Sequence, residues 1–320
     1  MNHCNDFPPE AIEVLDHLRP AIRISPFSGL SMMHSLTPVS HPVASKGDSL
    51  DPALWQDGGT QLTFYRSGRD AITASLRALG LSTSDVVSII TTSGGPYVSS
   101  CVTRAIEAIC KTSRELEPNT AAILLIHEFG FPAELPERAR KLGVPIIEDC
   151  AYAFGTRLRS KRVGSIGDFV IYSLPKSLPI PFGGMLVSRG PVHRKLPSNP
   201  LSKAAHDFLS TYMRQTYPHW EGWNELRREN WWHFAKTCSA FGLTPYFDMT
   251  NDVIPGVCLL RLPASSNGPA MKARCQNAGI ECTEYYGQNG FYFPVHQCLT
   301  AYDKAYILNN LLHSEDTEPL

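Results

Sequence analysis

No stretch of this chain approaches the roughly 18 uninterrupted apolar residues that a membrane-crossing helix requires, so no membrane span is expected. Met1 to Asp6 is polar and carries no apolar h-region, and no secretory signal is expected either. None of the nine cysteines forms a Cys-x-x-Cys pair, which argues against structural zinc and against a stapled secreted domain. Reduced thiols in a cytoplasmic protein with no metal site are the expectation. Charge is sparse as well. Only 18% of residues are charged and the net charge is -1, with no basic stripe or charged tail, which excludes nucleic acid as the natural partner. What is present is a 43% hydrophobic, globular composition over 320 residues, enough for one large and one smaller domain around a small-molecule ligand.

Residues 1–60 are rich in Pro, Ser and His and weakly periodic; only Glu10 to Leu18 reads as a short helix, and the rest as irregular chain wrapped over a partner surface. From Thr63 the pattern sharpens. Ser67-Gly68 precedes a helix from Arg69 to Leu79 with Ile72, Leu76 and Leu79 at helical spacing. Buried strands are predicted at Val86 to Ile90, Ala121 to Ile126 and Val144 to Ile147, with helices at Val98 to Ile109 and Glu134 to Leu142 between them. Such alternation predicts parallel strands with crossover helices, an α/β sheet covered on both faces. Phe169 to Tyr172 and Met185 to Val187 read as further strands, and Pro191 to Pro200 as a linker. Helices follow at Lys203 to Arg214 and Trp223 to Phe241, then a strand at Val257 to Leu262 and helices at Ala270 to Ala278 and Tyr302 to Leu312. The expected organisation is 1–60 irregular, 61–190 a large ligand-binding domain and 191–320 a smaller α+β domain.

Three features fall just beyond the carboxyl ends of strands or at helix starts, where an α/β sheet binds its ligand. Ser67-Gly68-Arg69 opens a helix, whose unpaired N–H groups and dipole favour an anion such as phosphate. Glu148-Asp149-Cys150 follows a strand and places a carboxylate to meet a cationic ring nitrogen. Tyr172-Ser173-Leu174-Pro175-Lys176 precedes the pair Gly183-Gly184. A lysine that forms a Schiff base needs a partly desolvated pocket, and Lys176 follows a buried strand and precedes apolar Leu178 and Ile180. Each feature alone is common on ordinary surfaces.

Taken in order, the residues from Ile126 to Val187 resemble a known family. The matching words are Ile126-His127-x-x-Gly130, Pro145-Ile146-Ile147-Glu148-Asp149-Cys150-Ala151, Gly155, Val163-Gly164-Ser165-x-Gly167-Asp168, Tyr172-Ser173-x-x-Lys176 and Gly183-Gly184-Met185. This run resembles the DegT/DnrJ/StrS sugar aminotransferases, which have the aspartate-aminotransferase fold. Weaker likeness reaches Ser67-Gly68-Arg69 and Phe293-Pro294-x-His296. The resemblance implies a PLP-dependent transferase of fold type I, with a mostly parallel central sheet flanked by helices and a smaller α+β C-terminal domain. It implies pyridoxal 5′-phosphate as cofactor, bonded to Lys176, which also moves the proton. Asp149 would pair with the pyridine nitrogen, and Ser173 with the backbone of Gly68 and Arg69 would hold the phosphate. Tyr97 would stack on the ring. Tyr152 stands where the family has Gln or His reaching the phenolic oxygen, a departure. The substrates implied are an amino donor, glutamate in the family, and a keto sugar on a nucleotide carrier, in polysaccharide or antibiotic sugar biosynthesis, within a homodimer.

Two further departures count against full agreement. Only Thr112 to Asn119 separates Ile109 from Ala121, too short for the extra strand the family has, so the sheet is expected to lack one strand. The family's Gly-x-Asn-x-Arg segment is not visible between Pro200 and Arg227. Both motivate an alternative, a catalytically degenerate PLP-binding or scaffold relative. An acyl-enzyme reading of Ser173-x-x-Lys176 would need Ser-Asp-Asn and Lys-Thr-Gly words, and neither occurs. Outside the motif, His127 reads as a hydrogen-bonded neighbour of the site and His296 as a residue between surface turns. Arg227-Arg228-Glu229 reads as a solvated helix face, and Trp220, Trp223, Trp231 and Trp232 as packing residues.

Overall fold

The computed structural model describes residues 21–27, 60–190, 196–197 and 201–312. The expected helix at Glu10 to Leu18 lies outside the described residues, as does most of the linker expected at Pro191 to Pro200. The first half holds strands β1 (Gln61–Tyr65), β2 (Val86–Thr91), β3 (Lys111–Ser113), β4 (Thr120–Ile126) and β5 (Ile146–Asp149). A small hairpin of β6 (Arg157–Leu158) and β7 (Lys161–Arg162) precedes β8 (Phe169–Ser173) and β9 (Gly184–Ser188). Helices α1 (Gly68–Ala78), α2 (Ser100–Glu107), α3 (Glu137–Arg140) and α4 (Leu174–Ser177) lie between them. The second half runs α5 (Lys203–Thr216), α6 (Trp220–Ser239), β10 (Thr244–Pro245), β11 (Cys258–Arg261), α7 (Gly268–Asn277), β12 (Thr283–Tyr285), β13 (Gly290–Phe293) and α8 (Ala301–Leu312).

Seven strands form one sheet in the order β1-β9-β8-β5-β4-β2-β3. The pairs β2–β3, β2–β4, β4–β5 and β5–β8 are parallel, whereas β9 runs antiparallel to both β8 and β1. The prediction of a missing strand is therefore overturned. Lys111, Thr112 and Ser113 pair in parallel with Val86, Val87 and Ser88 as an edge strand of three residues. A segment too short to bury a side-chain row can still extend a ladder, because its hydrogen bonds come from the backbone.

The central strands are buried on both faces, which explains their uninterrupted apolar runs. Helices α1 and α2 cover one face through Ile72, Leu76 and Ile106. Helix α5 covers the other, where Leu209, Tyr212 and Met213 pack on Val170, Met185 and Val187. Ser67 caps α1, its Oγ accepting from Asp70 N at 3.2 Å and donating to the Asp70 carboxylate at 2.9 Å. The second sheet, β10-β11-β13-β12, is antiparallel and buries Phe291, Phe293 and Leu259 beneath α6, with Trp231 and Phe234 in the same core.

The segment 21–27 lies on this chain's own surface. Ile22 bridges Ile280, and Ile24 N donates to Glu281 Oε2 at 2.8 Å.

Candidate active site

Neighbouring strands bring the candidate residues to one edge. Thr91, Ile126 and Asp149 are opposite one another at the carboxyl ends of β2, β4 and β5, and β8 ends beside them at Ser173. His127 continues β4, its N–H donating to Asp149 O at 3.1 Å. One residue of β8 later the chain enters α4, which presents Lys176. A cleft of about 570 Å³ opens here, lined among others by Tyr97, His127, Asp149, Tyr152, Lys176 and Tyr292.

Asp149 is 5% exposed, and its Oδ1 accepts from Ala151 N at 2.9 Å. Burial raises its pKa; the Lys176 charge, the Ala151 N–H and His127 pull it back without cancelling the rise. A carboxyl so placed gains most from a cation brought into the cleft. The Lys176 ammonium sits 3.7 Å from the centre of the Tyr152 ring, a cation–π contact. Tyr152 in turn is seated on Gly256, where a Cβ would come within 2.3 Å of the ring.

Gly68 packs closely against Ser173. A Cβ on Gly68 would lie 3.2 Å from Ser173 Cβ. The cap of α1 uses the N–H groups of Asp70 and Ala71, and no partner among the described residues takes those of Gly68 and Arg69. The Arg69 guanidinium turns to Cys101 Sγ at 3.2 Å, so only its backbone is available to the cleft side of the cap. Thus Tyr97, Asp149, Tyr152 and Lys176 share the cleft, and Gly68, Arg69 and Ser173 form a separate hydroxyl and N–H cradle at the start of α1 rather than part of its lining.

Phe129 and Tyr292, which the sequence reading did not single out, build the cleft's aromatic wall. Phe129 adopts φ 55° in a tight turn, Glu128–Gly130, and its ring lies 4.8 Å from that of Tyr292, 5.4 Å from Tyr285 and 5.9 Å from Tyr152. Gly130 follows at φ 97°, and a Cβ there would strike Ile254 O at 2.1 Å, so only glycine fits. Tyr97 packs edge-on against Tyr285 at 4.9 Å.

Below the site, His127 Nδ1 accepts from Ala133 N at 2.9 Å, which leaves Nε2–H to donate to Glu148 Oε1 at 3.3 Å. Glu148 also accepts from the N–H groups of Gly164, Ile166 and Gly167 at 2.9, 2.9 and 2.6 Å. Burial raises its pKa, but His127 and the Gly167 and Gly164 N–H groups outweigh that and leave it lowered. His127, Glu148 and Cys150 cluster tightly enough to suggest a metal, yet the histidine and carboxylate are already committed to hydrogen bonds.

Two expectations are corrected. Arg227 does not face solvent: it is 2% exposed, with Nε on Gln297 Oε1 at 2.8 Å and Nη2 on Lys176 O at 3.0 Å. His296 is no surface residue; it is 6% exposed, and burial and the Arg227 charge depress its pKa to about 3. Helical phase could have revealed Arg227, which shares one stripe with buried Trp220, Trp231 and Phe234. Of the tryptophans, Trp220 and Trp231 are core residues and Trp232 is exposed.

The mixed, mostly parallel seven-stranded sheet flanked by helices, with a lysine and a buried aspartate at its carboxyl edge, is the pyridoxal-phosphate-dependent transferase fold. Residues 105–196 match the DegT/DnrJ/EryC1/StrS aminotransferase family, as the sequence words implied. Among curated proteins, the chain is 30% identical to the UDP-N-acetyl-3-dehydro-alpha-D-glucosamine 3-aminotransferase of Acidithiobacillus ferrooxidans over 51% of this chain and 53% of that one. It is also 30% identical to Protein MosB of Rhizobium meliloti, over 42% of this chain and 30% of MosB. The chain thus spans about half or less of the length of these relatives. Among solved structures, the aminotransferase TlmJ from Streptoalloteichus hindustanus superposes with a TM-score of 0.65 at 18% identity, covering 79% of this chain and 85% of TlmJ. The PMP form of the sugar aminotransferase Spr1654 from Streptococcus pneumoniae gives 0.66 at 12% identity, covering 92% and 96%. Both share the fold.

Proposed function

We propose that the chain is an aminotransferase that uses pyridoxal phosphate to move nitrogen from an amino acid, glutamate in the family, to a keto sugar on a nucleotide carrier. The observation that carries it is the juxtaposition of Lys176 and buried Asp149 in one cleft. When bound, the cofactor supplies an aldehyde for amine exchange and a protonated ring that draws electrons from the substrate carbon. Asp149 would keep the ring nitrogen protonated, since its buried carboxylate is stabilised by a cation there. Ser173 Oγ and the N–H groups of Gly68 and Arg69 would hold the phosphate, an anion placed on the axis of α1. Tyr97 would cover the ring, and the Tyr152 hydroxyl would serve the phenolic oxygen in place of the family's Gln or His. Lys176 Nζ would be the amine that holds the cofactor and, when free, would accept and return the proton moved during amine exchange. The aromatic rings of Phe129 and Tyr292 would line the apolar wall beside that amine.

The relatives' names support a nucleotide-sugar substrate, and the proposal extends to a cytoplasmic homodimer, which sedimentation would test. Tyr152 and the absent Gly-x-Asn-x-Arg segment favour a second reading, a relative that binds the cofactor without turnover. Absorbance of the purified protein, borohydride reduction and peptide mapping test the site; a reduced adduct is expected on Lys176, and its absence refutes the proposal. Adding glutamate separates the two readings. A transaminase converts bound cofactor to its amine form, whereas a degenerate relative leaves it unchanged.

A further inference from the structure

Helix α4 is a single turn, and a single turn leaves its last carbonyls without intrahelical donors. Three consecutive ones, at Pro175, Lys176 and Ser177, are taken instead by side chains from three distant segments. Ser25 Oγ donates to Pro175 O at 2.6 Å from the N-terminal segment. Arg227 Nη2, from the long helix α6, bridges Lys176 O at 3.0 Å and Ser177 O at 3.2 Å. Gln297 Nε2, beyond β13, donates to Ser177 O at 3.0 Å, while its Oε1 accepts from Arg227 Nε.

The chemistry of Arg227 shows that this arrangement is not the cheapest way to pack a core. Burial drives its pKa down to about 10, and no carboxylate among the described residues pairs with it. A buried guanidinium without a counter-ion is costly, and a methionine or leucine would complete the apolar stripe of α6 at less expense. Its donors go to the backbone of the reactive lysine, to Gln297 and, at 3.4 Å, to Pro255 O. What the charge delivers in return is a fixed position for that backbone.

We propose that Ser25, Arg227 and Gln297 are positioning residues, a clamp that holds the Lys176 backbone so that Nζ meets the cofactor's aldehyde in a reactive geometry. This rests on the reading of Lys176 given above. The reaction that reports it is the condensation itself: Nζ adds to the aldehyde carbon, one C=N bond forms and one water leaves. Cofactor-free protein is mixed with pyridoxal 5′-phosphate, and the new C=N absorbance and the induced circular dichroism of the bound cofactor are followed for wild type, Arg227→Met, Arg227→Lys, Ser25→Ala and Gln297→Leu. Thermal melting of each cofactor-free variant is recorded alongside.

Arg227→Met is expected to slow condensation about 10- to 100-fold, the usual consequence of misplacing a reacting group by an ångström or so. Arg227→Lys, which keeps a donor and the charge, recovers part of the rate. Ser25→Ala and Gln297→Leu each slow condensation severalfold and reduce the induced dichroism while melting within a few degrees of wild type. A merely structural role would lower melting temperature and leave the rate and dichroism of the folded fraction untouched. Should Arg227→Met fail to fold, the Ser25 and Gln297 variants decide. Wild-type rate and dichroism in those two overturn the clamp, with the assignment of Lys176 intact. Absence of a Lys176 adduct in wild type overturns the functional reading itself.

Discussion

Replacing Gly256 by alanine tests the placement of Tyr152 against Lys176 while leaving both residues in the chain. A Cβ at position 256 would lie 2.3 Å from Tyr152 Cδ1 and 2.9 Å from its Cβ and Cγ. Ordinary contact begins near 3.4 Å, so the ring must retreat by about 1 Å. The Phe129 ring, its centroid 5.9 Å from that of Tyr152, and the Lys176 ammonium, 3.7 Å from the Tyr152 centroid, also pack on this ring, so its displacement is expected to reach the amine. Gly256 has no unusual backbone angle, and its N–H donates to Phe129 O at 2.7 Å, so the effect of the substitution is steric. Overpacking of this kind costs about 1–3 kcal/mol, a loss of a few degrees in Tm, and the misplaced amine reacts with the cofactor about 10- to 100-fold more slowly. The assay pairs a thermal melt with stopped-flow absorbance on addition of pyridoxal phosphate. In a Tyr152→Ala background, which removes the ring, the melting penalty of Gly256→Ala should shrink by about 0.5–3 kcal/mol, the coupling expected of touching residues. Unchanged melting and kinetics in the single variant, or full additivity in the pair, would refute the reasoning.

Three other outcomes follow from the buried charges. Because burial raises the folded Asp149 carboxyl above its unfolded value, its ionised form costs stability once pH rises through the folded pKa. Asp149→Asn should therefore melt higher than wild type at neutral pH without cofactor, yet bind pyridoxal phosphate about 10- to 100-fold more weakly by fluorescence titration. Glu148 is lowered, so its contribution is present above the unfolded carboxylate range and lost as pH falls through the folded pKa. Glu148→Gln sets an amide among three N–H donors and should cost about 3 kcal/mol in urea unfolding at pH 7. His296 titrates at 6.5 unfolded and about 3 folded, so between those values only the unfolded chain takes up the proton. Stability should fall by up to about 1.4 kcal/mol per pH unit on acidification across that window, and His296→Gln should remove that portion of the slope in melts between pH 4 and 6.

Much of the sheet was readable because its inner strands are buried on both faces and so must be apolar: Val86 to Ile90 and Ala121 to Ile126 announce themselves. That Lys176 and Asp149 would share one cleft was readable for a different reason, the order and spacing of the family words from Ile126 to Val187. Lys111–Ser113 was not readable. Its side chains are polar and partly solvated, so nothing in them distinguishes a strand from a turn; only the ladder of β2 does. The hairpin Thr283–Phe293 was missed because Tyr, Gly and Asn interrupt any alternation, though Phe291 and Phe293 are fully packed. Arg227 and His296 were misplaced by the rule that charge belongs outside. Helical phase marks Arg227 as inward-facing, but it does not name its partners on Lys176, Ser177 and Gln297, which are tertiary contacts.

The contact of Gly68 with Ser173 has a consequence for how the chain acquires its ligand. Strand β9 lies between the strands leading into these two residues, so the phosphate seat proposed for them cannot form until β9 has been threaded antiparallel between β1 and β8. A partly folded chain with only the parallel strands in place would own the aspartate but not the proposed phosphate seat. Cofactor uptake during refolding should therefore register closure of that last edge, and excess cofactor would draw the population toward the closed sheet by mass action rather than rescue earlier forms.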